Sequence, residues 1–180
     1  MLAELTVKEF LDKVAGSDPV PGGGSVAALN GAVASVLTAM VAGLTIGKKG
    51  YEEHEELMKH ISRLSIRQQE VFVEYIDRDS EAYDHVFVVV QLPKSTDEEK
   101  AARSAAIQEA TRFAALVPMQ VARNACELME IIADVARLGN QNAITDACVA
   151  MMAARSAVLG ALLTSASIWV RSRIKPLLTS

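Results

Sequence analysis

Two places in the 180-residue chain bring together residue types that chemistry needs. The first is Asp79. Leu57, Ile61, Leu64, Gln68, Phe72, Tyr75, Asp79, Tyr83, Val86 and Val90 follow one another in steps of three or four, which places them along one face of a long helix. Gln68 and Asp79 are out of place on a face otherwise apolar. A carboxylate facing a core is costly unless it is paired or hydrogen-bonded, and buried titratable groups often mark sites of proton transfer. The plainer alternative is that Asp79 pairs with an Arg or Lys of a neighbouring helix, or faces a solvated stretch. The second place is "PGGGS", Pro21 to Ser25, where Gly22, Gly23 and Gly24 would leave free backbone N–H groups at a helix start. Such a terminus accepts an anion or a polar ligand. The segment lacks the Gly-Lys-Ser/Thr ending of a nucleotide-binding loop and follows no strand. The plainer alternative here is a tight turn whose Ser25 caps the helix.

Other polar residues carry less. Lys94 follows Pro93 in a loop, where it could reach a ligand or simply be solvated. Asp146, in "NAITDA", opens a helix and is also a favourable N-terminal charge. Lys48 and Lys49 follow a helix end, where cations complement the dipole. His54, His60 and His85 show no metal-ligand spacing, so no metal site is expected. No Gly-x-Ser-x-Gly or Cys/His nucleophile arrangement is present.

The elements that must hold these residues are helices throughout. "TVKE" makes Thr6 an N-cap with Glu9 three residues on, opening a helix to about Ala15. A second helix is predicted from about Ser25 to Ile46, and a third from near Glu52 to about Val90. Ser95 or Thr96 caps a fourth, from about Asp97 through an interruption at Pro118 to Leu138. A fifth runs from about Ala143 to Arg173, stopped before Pro176. No period-2 pattern survives its neighbours, and no repeat or linker divides the chain. The expectation is an all-α fold, a bundle of long antiparallel helices in one domain, residues 1–180.

The segment between Asp18 and Lys48 carries no charged residue and no histidine. It is long enough to cross a bilayer, for which about 20 residues are needed. Its Ala, Gly, Ser, Thr and Asn drive insertion weakly, however. A fully surrounded central helix is the expectation, with Gly31 and Gly43 admitting close neighbours. Hydrophobic residues make up 51% of the chain and aromatics only 4%, so small aliphatic side chains must supply the core. A mean hydropathy of +0.22 is high for a small monomer, which points to an obligate dimer. The net charge of −4 and the lack of a Lys/Arg cluster argue against nucleic acid. Cys126 and Cys148 suit buried thiols in a reducing compartment. "MLAELTVKEF" lacks the features of a signal peptide, so a cytoplasmic location is expected.

Four segments occur in an order shared with a known family: "PGGGSVAALNGA", "DRDSEAY", "LPKSTDEEK" and "GNQNAITDA". Over nearly its full length the chain resembles the cyclodeaminase part of the formiminotransferase-cyclodeaminase family, as a stand-alone folate-processing domain. The resemblance implies a homodimer that closes 5-formiminotetrahydrofolate to 5,10-methenyltetrahydrofolate with loss of ammonia. It implies no cofactor besides the tetrahydrofolate substrate, and a separate formiminotransferase as a possible partner. It makes Asp79 the catalytic carboxylate and Gly22, Gly23, Gly24 and Ser25 a backbone-lined wall, with Tyr83, Lys94 and Asp146 nearby. Relatives of this fold are methenyltetrahydrofolate cyclohydrolases, which add water to the same bridged carbon. A non-catalytic helical dimer that binds folate or a protein is a third expectation. One departure stands out. Where the family has two asparagines late in its last helix, this chain reads "TSASI", Thr164 to Ile168.

Overall fold

The computed structural model describes residues 1–178, with side chains through Val170. Five α-helices follow in order: α1 Val7–Val14, α2 Gly23–Gly43, α3 Glu55–Val90, α4 Asp97–Leu138 and α5 Ile144–Leu178. No strand occurs among the described residues. The fold is all-α, a helical bundle, as the periodicities require.

Helix starts follow local chemistry. Thr6 and Glu9 form the expected capping box, the Glu9 N–H donating to Thr6 Oγ1 at 3.3 Å and the Thr6 N–H to Glu9 Oε2 at 2.8 Å. Thr96 and Glu99 repeat it on α4, so the cap is Thr96 rather than Ser95. Two ends differ from expectation. α4 runs unbroken through Pro118, which is buried in the bundle. One turn earlier, the Ala115 carbonyl accepts a hydrogen bond from the Ser165 hydroxyl of α5 at 2.9 Å, so a neighbouring helix ties this stretch down. α5 passes Arg173 and continues to Leu178. A proline in a last turn removes only one intrahelical bond.

α2 packs between α3 and α5, with α4 closing the bundle behind. The α2–α3 approach is close because the facing residues are small. A methyl group built on Gly31 would lie 2.5 Å from the Phe72 ring, so only glycine fits against that buried aromatic. Around it Ala27, Ala28, Ala34, Ala125, Ala154 and Ala157 fill a core with few large side chains. On the α3 stripe, Ile61, Phe72 and Tyr75 are buried as expected, but Leu57 gives up the core position to Met58.

Three expectations are corrected. α2 is not fully surrounded: one stripe along it, through Val33, Val36, Met40 and Leu44, is 40–50% exposed. Gly43 lies beside that stripe, and a methyl there would meet nothing within 4 Å, so no neighbour of its own chain explains it. Cys126 and Cys148 are exposed free thiols on the outer faces of α4 and α5. α2 and the stretch from Gln141 to Val170 are both long and apolar enough to cross a membrane by length and composition, but half of the α2 window is buried inside the bundle.

Candidate active site

The α2 N-terminus has no side-chain cap of its own. Gly22 is the N-cap, in extended conformation, and contributes only backbone. Ser25 is therefore not the cap; it sits within the first turn, fully buried. Its hydroxyl lies 3.0 Å from the Ile76 carbonyl, 3.2 Å from Asp79 Oδ2 and 3.2 Å from Ser80 Oγ. One hydroxyl proton serves two acceptors there, Ile76 and Asp79. The Ser25 backbone N–H also interacts with the Asp79 carboxylate. A side chain from α3 thus occupies the place where a helix ordinarily puts its own capping group.

The glycines are what let it in. A methyl group on Gly24 would lie 2.1 Å from Asp79 Oδ1, so the carboxylate rests directly against the Gly24 backbone. Gly23 is exposed, with Thr164 Oγ1 of α5 at 3.3 Å from where its methyl would stand. Asp79 and Thr164 therefore flank the glycine segment from opposite sides.

Burial pushes the Asp79 carboxyl above the usual carboxylate range, and the hydrogen bonds from Ser25 offset this only in part. None of the ion pairs among the described residues includes Asp79. The pairing with Arg or Lys that the sequence left open is replaced by a hydroxyl and a helix terminus. A largely buried carboxylate with no countercharge among the described residues is poised to attract a cation and to take or return a proton.

Tyr83 lies one turn beyond Asp79 on the same helix, its ring edge-on to Phe87 at 5.4 Å between centroids. Beyond it, Lys13, Asp18, Pro19, Val20, Asp84 and Phe87 line a groove of about 460 Å³. Gly22, Gly23, Gly24, Ser25, Asp79 and Tyr83 thus come together. Lys94 does not join them: it is exposed in the α3–α4 loop and makes no ion pair among the described residues. Within one chain Asp146 does not join them either: it lies in the first turn of α5, whereas Thr164 is the α5 residue beside Gly23. About five turns, or about 27 Å of helix, separate the two. Within one chain it stands at the other end of the bundle.

That other end has its own polar cluster. The Asn140 N–H donates to Thr45 Oγ1 at 2.9 Å and its side-chain amide to the Leu44 carbonyl at 3.2 Å. Asn140 Oδ1 accepts from the Asn142 N–H and from the Lys48 ammonium. Thr164 and Lys13 were missed as site residues. Thr164 lies inside the segment where the family pattern breaks, which was the available signal; Lys13 gave none. Among the described residues no three His, Cys, Asp or Glu side chains gather as metal ligands.

Comparison with known proteins gives consistent results. Residues 6–166 match the family model described as Formiminotransferase-cyclodeaminase. A Methenyltetrahydrofolate cyclohydrolase of Methylorubrum extorquens is 43% identical over 91% of this chain and 78% of its own length. The Formimidoyltransferase-cyclodeaminase of Rattus norvegicus is 29% identical over 89% of the chain, which spans only 30% of that protein. A crystal structure of formiminotetrahydrofolate cyclodeaminase from Thermotoga maritima superposes with a TM-score of 0.84 at 30% identity, over 95% of this chain and 81% of that one.

Proposed function

The chain belongs to the formiminotransferase-cyclodeaminase family of folate one-carbon proteins, and on that premise we propose that it acts at the carbon bridging N5 and N10 of a tetrahydrofolate, with Asp79 as its acid–base group. The observation that carries this reading is the Asp79 carboxylate, largely buried against a glycine-lined helix terminus, its pKa raised, and in no ion pair among the described residues.

The chemistry suits such a group. In 5,10-methenyltetrahydrofolate the N5–C–N10 bridge is a delocalised cation, and an unpaired carboxylate in a poorly solvated site attracts it. Water adding to the bridge carbon must lose a proton, and a carboxylate of raised pKa is a stronger base than an ordinary one. The tetrahedral carbon then expels N5, which takes a proton back, while the added hydroxyl gives up its remaining proton to solvent and becomes the formyl oxygen of 10-formyltetrahydrofolate. Closure of 5-formiminotetrahydrofolate uses the same centre. N10 attacks the carbon of the protonated formimino group and loses its proton, the terminal nitrogen gains it, and ammonia leaves the same bridged cation behind. Neither sequence needs a metal or a further cofactor. Gly22 and Gly23 leave room for a flat ring to approach the backbone, and the groove beyond Tyr83 offers Lys13 to a carboxylate tail.

Water addition is favoured by the 43% identity to a methenyltetrahydrofolate cyclohydrolase. Ammonia loss is the second reading, supported by the fold shared with a formiminotetrahydrofolate cyclodeaminase. In that reading a separate formiminotransferase would supply the substrate. The test supplies the purified protein with each folate in turn. Loss of the methenyl chromophore identifies hydrolysis; its appearance with ammonia identifies cyclodeamination. No turnover of either compound overturns the proposal.

A further inference from the structure

Thr164 borders the site but has no part in the proton transfers assigned to Asp79. It lies on α5, half-buried, with Oγ1 3.3 Å from where a methyl group on Gly23 would stand. The Asp79 carboxylate rests against the next residue, Gly24. Successive residues of a helix point about 100° apart. The hydroxyl and the carboxylate therefore bracket the exposed Gly23 backbone from two sides, and Gly23 puts no side chain into the space between them.

What Thr164 offers to that space is fixed by its own helix. A hydroxyl has one proton and two lone pairs. The Thr164 proton is donated to the Gly160 carbonyl, one turn back, at 2.9 Å. Only lone pairs remain, so toward the site Thr164 is an acceptor. Ionised Asp79 is an acceptor as well. Two acceptors on either side of a gap suit a small group with two protons to give, and water is the smallest. A water that gives one proton to each keeps its own lone pairs free and directed away from both. The carbon of a cationic N5–C–N10 bridge, drawn to the ionised carboxylate, is what such a lone pair would meet.

We infer that Thr164 is the positioning residue for the attacking water: its Oγ1 accepts one water proton while Asp79 accepts the other, which turns the oxygen toward the bridge carbon. This rests on the folate reading and deepens it, because it makes α5 the element that favours water addition. In the step itself the water oxygen bonds to the carbon, one proton passes to Asp79, and the π electrons of the bridge return to nitrogen. The second proton stays hydrogen-bonded to Thr164 until N5 leaves, when it goes to solvent. Thr164 itself neither gains nor loses a proton. Closure of 5-formiminotetrahydrofolate uses N10 as its nucleophile and has no use for this water.

The test uses Thr164→Val, which keeps the shape and loses the hydroxyl, and Thr164→Ser, which keeps the hydroxyl. With 5,10-methenyltetrahydrofolate, kcat of Thr164→Val should fall about ten- to a hundred-fold, the scale of a misplaced reactant. KM should stay within about three-fold, because binding the folate does not use the water. Thr164→Ser should recover most of the loss. Thr164→Ala removes the hydroxyl by a second route and should repeat it. The variants should melt within about 4 °C of wild type, the scale of one weak hydrogen bond in a chain of this size. In Thr164→Val the acid limb of the pH profile, set by Asp79, should not move, and any turnover of 5-formiminotetrahydrofolate should be spared. Undiminished kcat in Thr164→Val or Thr164→Ala, no recovery in Thr164→Ser, a moved acid limb, or equal loss of both reactions overturns the role of Thr164 and leaves the folate reading standing. Wild type that closes the formimino compound but does not hydrolyse the methenyl one does the same. Wild type that turns over neither overturns the folate reading, and this role with it.

Discussion

The two ends of α2 solve opposite problems. At the C-terminal end the orphan carbonyls and nearby side chains are spoken for: Leu44, Thr45, Asn140 and Lys48 form one connected set of hydrogen bonds. At the N-terminal end the helix brings only glycine as its cap, and Ser25 spreads one proton over two acceptors. A carboxylate is held there at a cost, its pKa raised by burial. An end built for stability would have placed a Ser, Thr, Asp or Asn at the N-cap. The contrast teaches that the poorly satisfied end is the one arranged for chemistry, and each prediction below separates the two ends or removes the difference.

The largest effect should come from Asp79→Asn. The substitution keeps size and the ability to accept from Ser25, but removes the charge and the proton relay. Turnover should fall by about 10²–10⁴-fold, the scale of general acid–base catalysis, while substrate affinity changes less. Steady-state kinetics and thermal melting on one preparation check this. A folded variant with near-normal turnover would return Asp79 to a purely capping role. Next comes Gly23→Val. Gly23 is exposed, with only the Thr164 hydroxyl close by, so the fold should tolerate the side chain. The approach to the backbone should be blocked, raising KM by about ten-fold, the loss expected for an obstructed contact. Equal losses of melting temperature and affinity would instead favour a simple turn.

Thr45→Val probes the other end. It is isosteric, but it removes the acceptor of the buried Asn140 N–H and the hydroxyl that donates to Val41 at 2.8 Å. Leaving such groups unpaired should cost about 1–3 kcal/mol of stability, read by denaturant unfolding. A neutral result would mean that the C-terminal network contributes nothing and the contrast is empty.

Much of this was legible in the sequence, for identifiable reasons. Helix boundaries marked by Thr6–Glu9 and Thr96–Glu99 were readable because capping boxes are local. Asp79 was readable because a carboxylate interrupts a periodic apolar face. What it pairs with was not, since Ser25 is distant in the chain and the pairing depends on how closely α2 and α3 pack. That closeness is set by Gly24 and by Gly31 against Phe72. The position of Asp146 was not legible either: "NAITDA" marks a helix start, and which end of the bundle that start reaches depends on how α5 packs. The open stripe on α2 was also hidden. Its sequence is apolar on all sides, so periodicity cannot say which side lacks a neighbour.

The smallest effect is in the pH dependence of stability, and its sign distinguishes a group held for function from one held as a cap. A carboxyl whose pKa is raised on folding binds its proton more tightly in the folded state than in the unfolded one. Stability from this source is therefore greatest at low pH. It is lost as pH rises from the ordinary aspartate range through the raised folded value, and stays level above it. Asp79→Asn lacks this titration. Its melting temperature relative to wild type should rise across that window and hold a constant advantage at neutral pH. Thermal melts of both proteins from about pH 4 to pH 8, bracketing the carboxylate range, give the comparison directly. If the difference moves the other way, with wild type gaining on the variant as pH rises, the helix terminus and Ser25 outweigh burial. Asp79 would then be a stabilising cap, and the N-terminal end of α2 would be as settled as the C-terminal one.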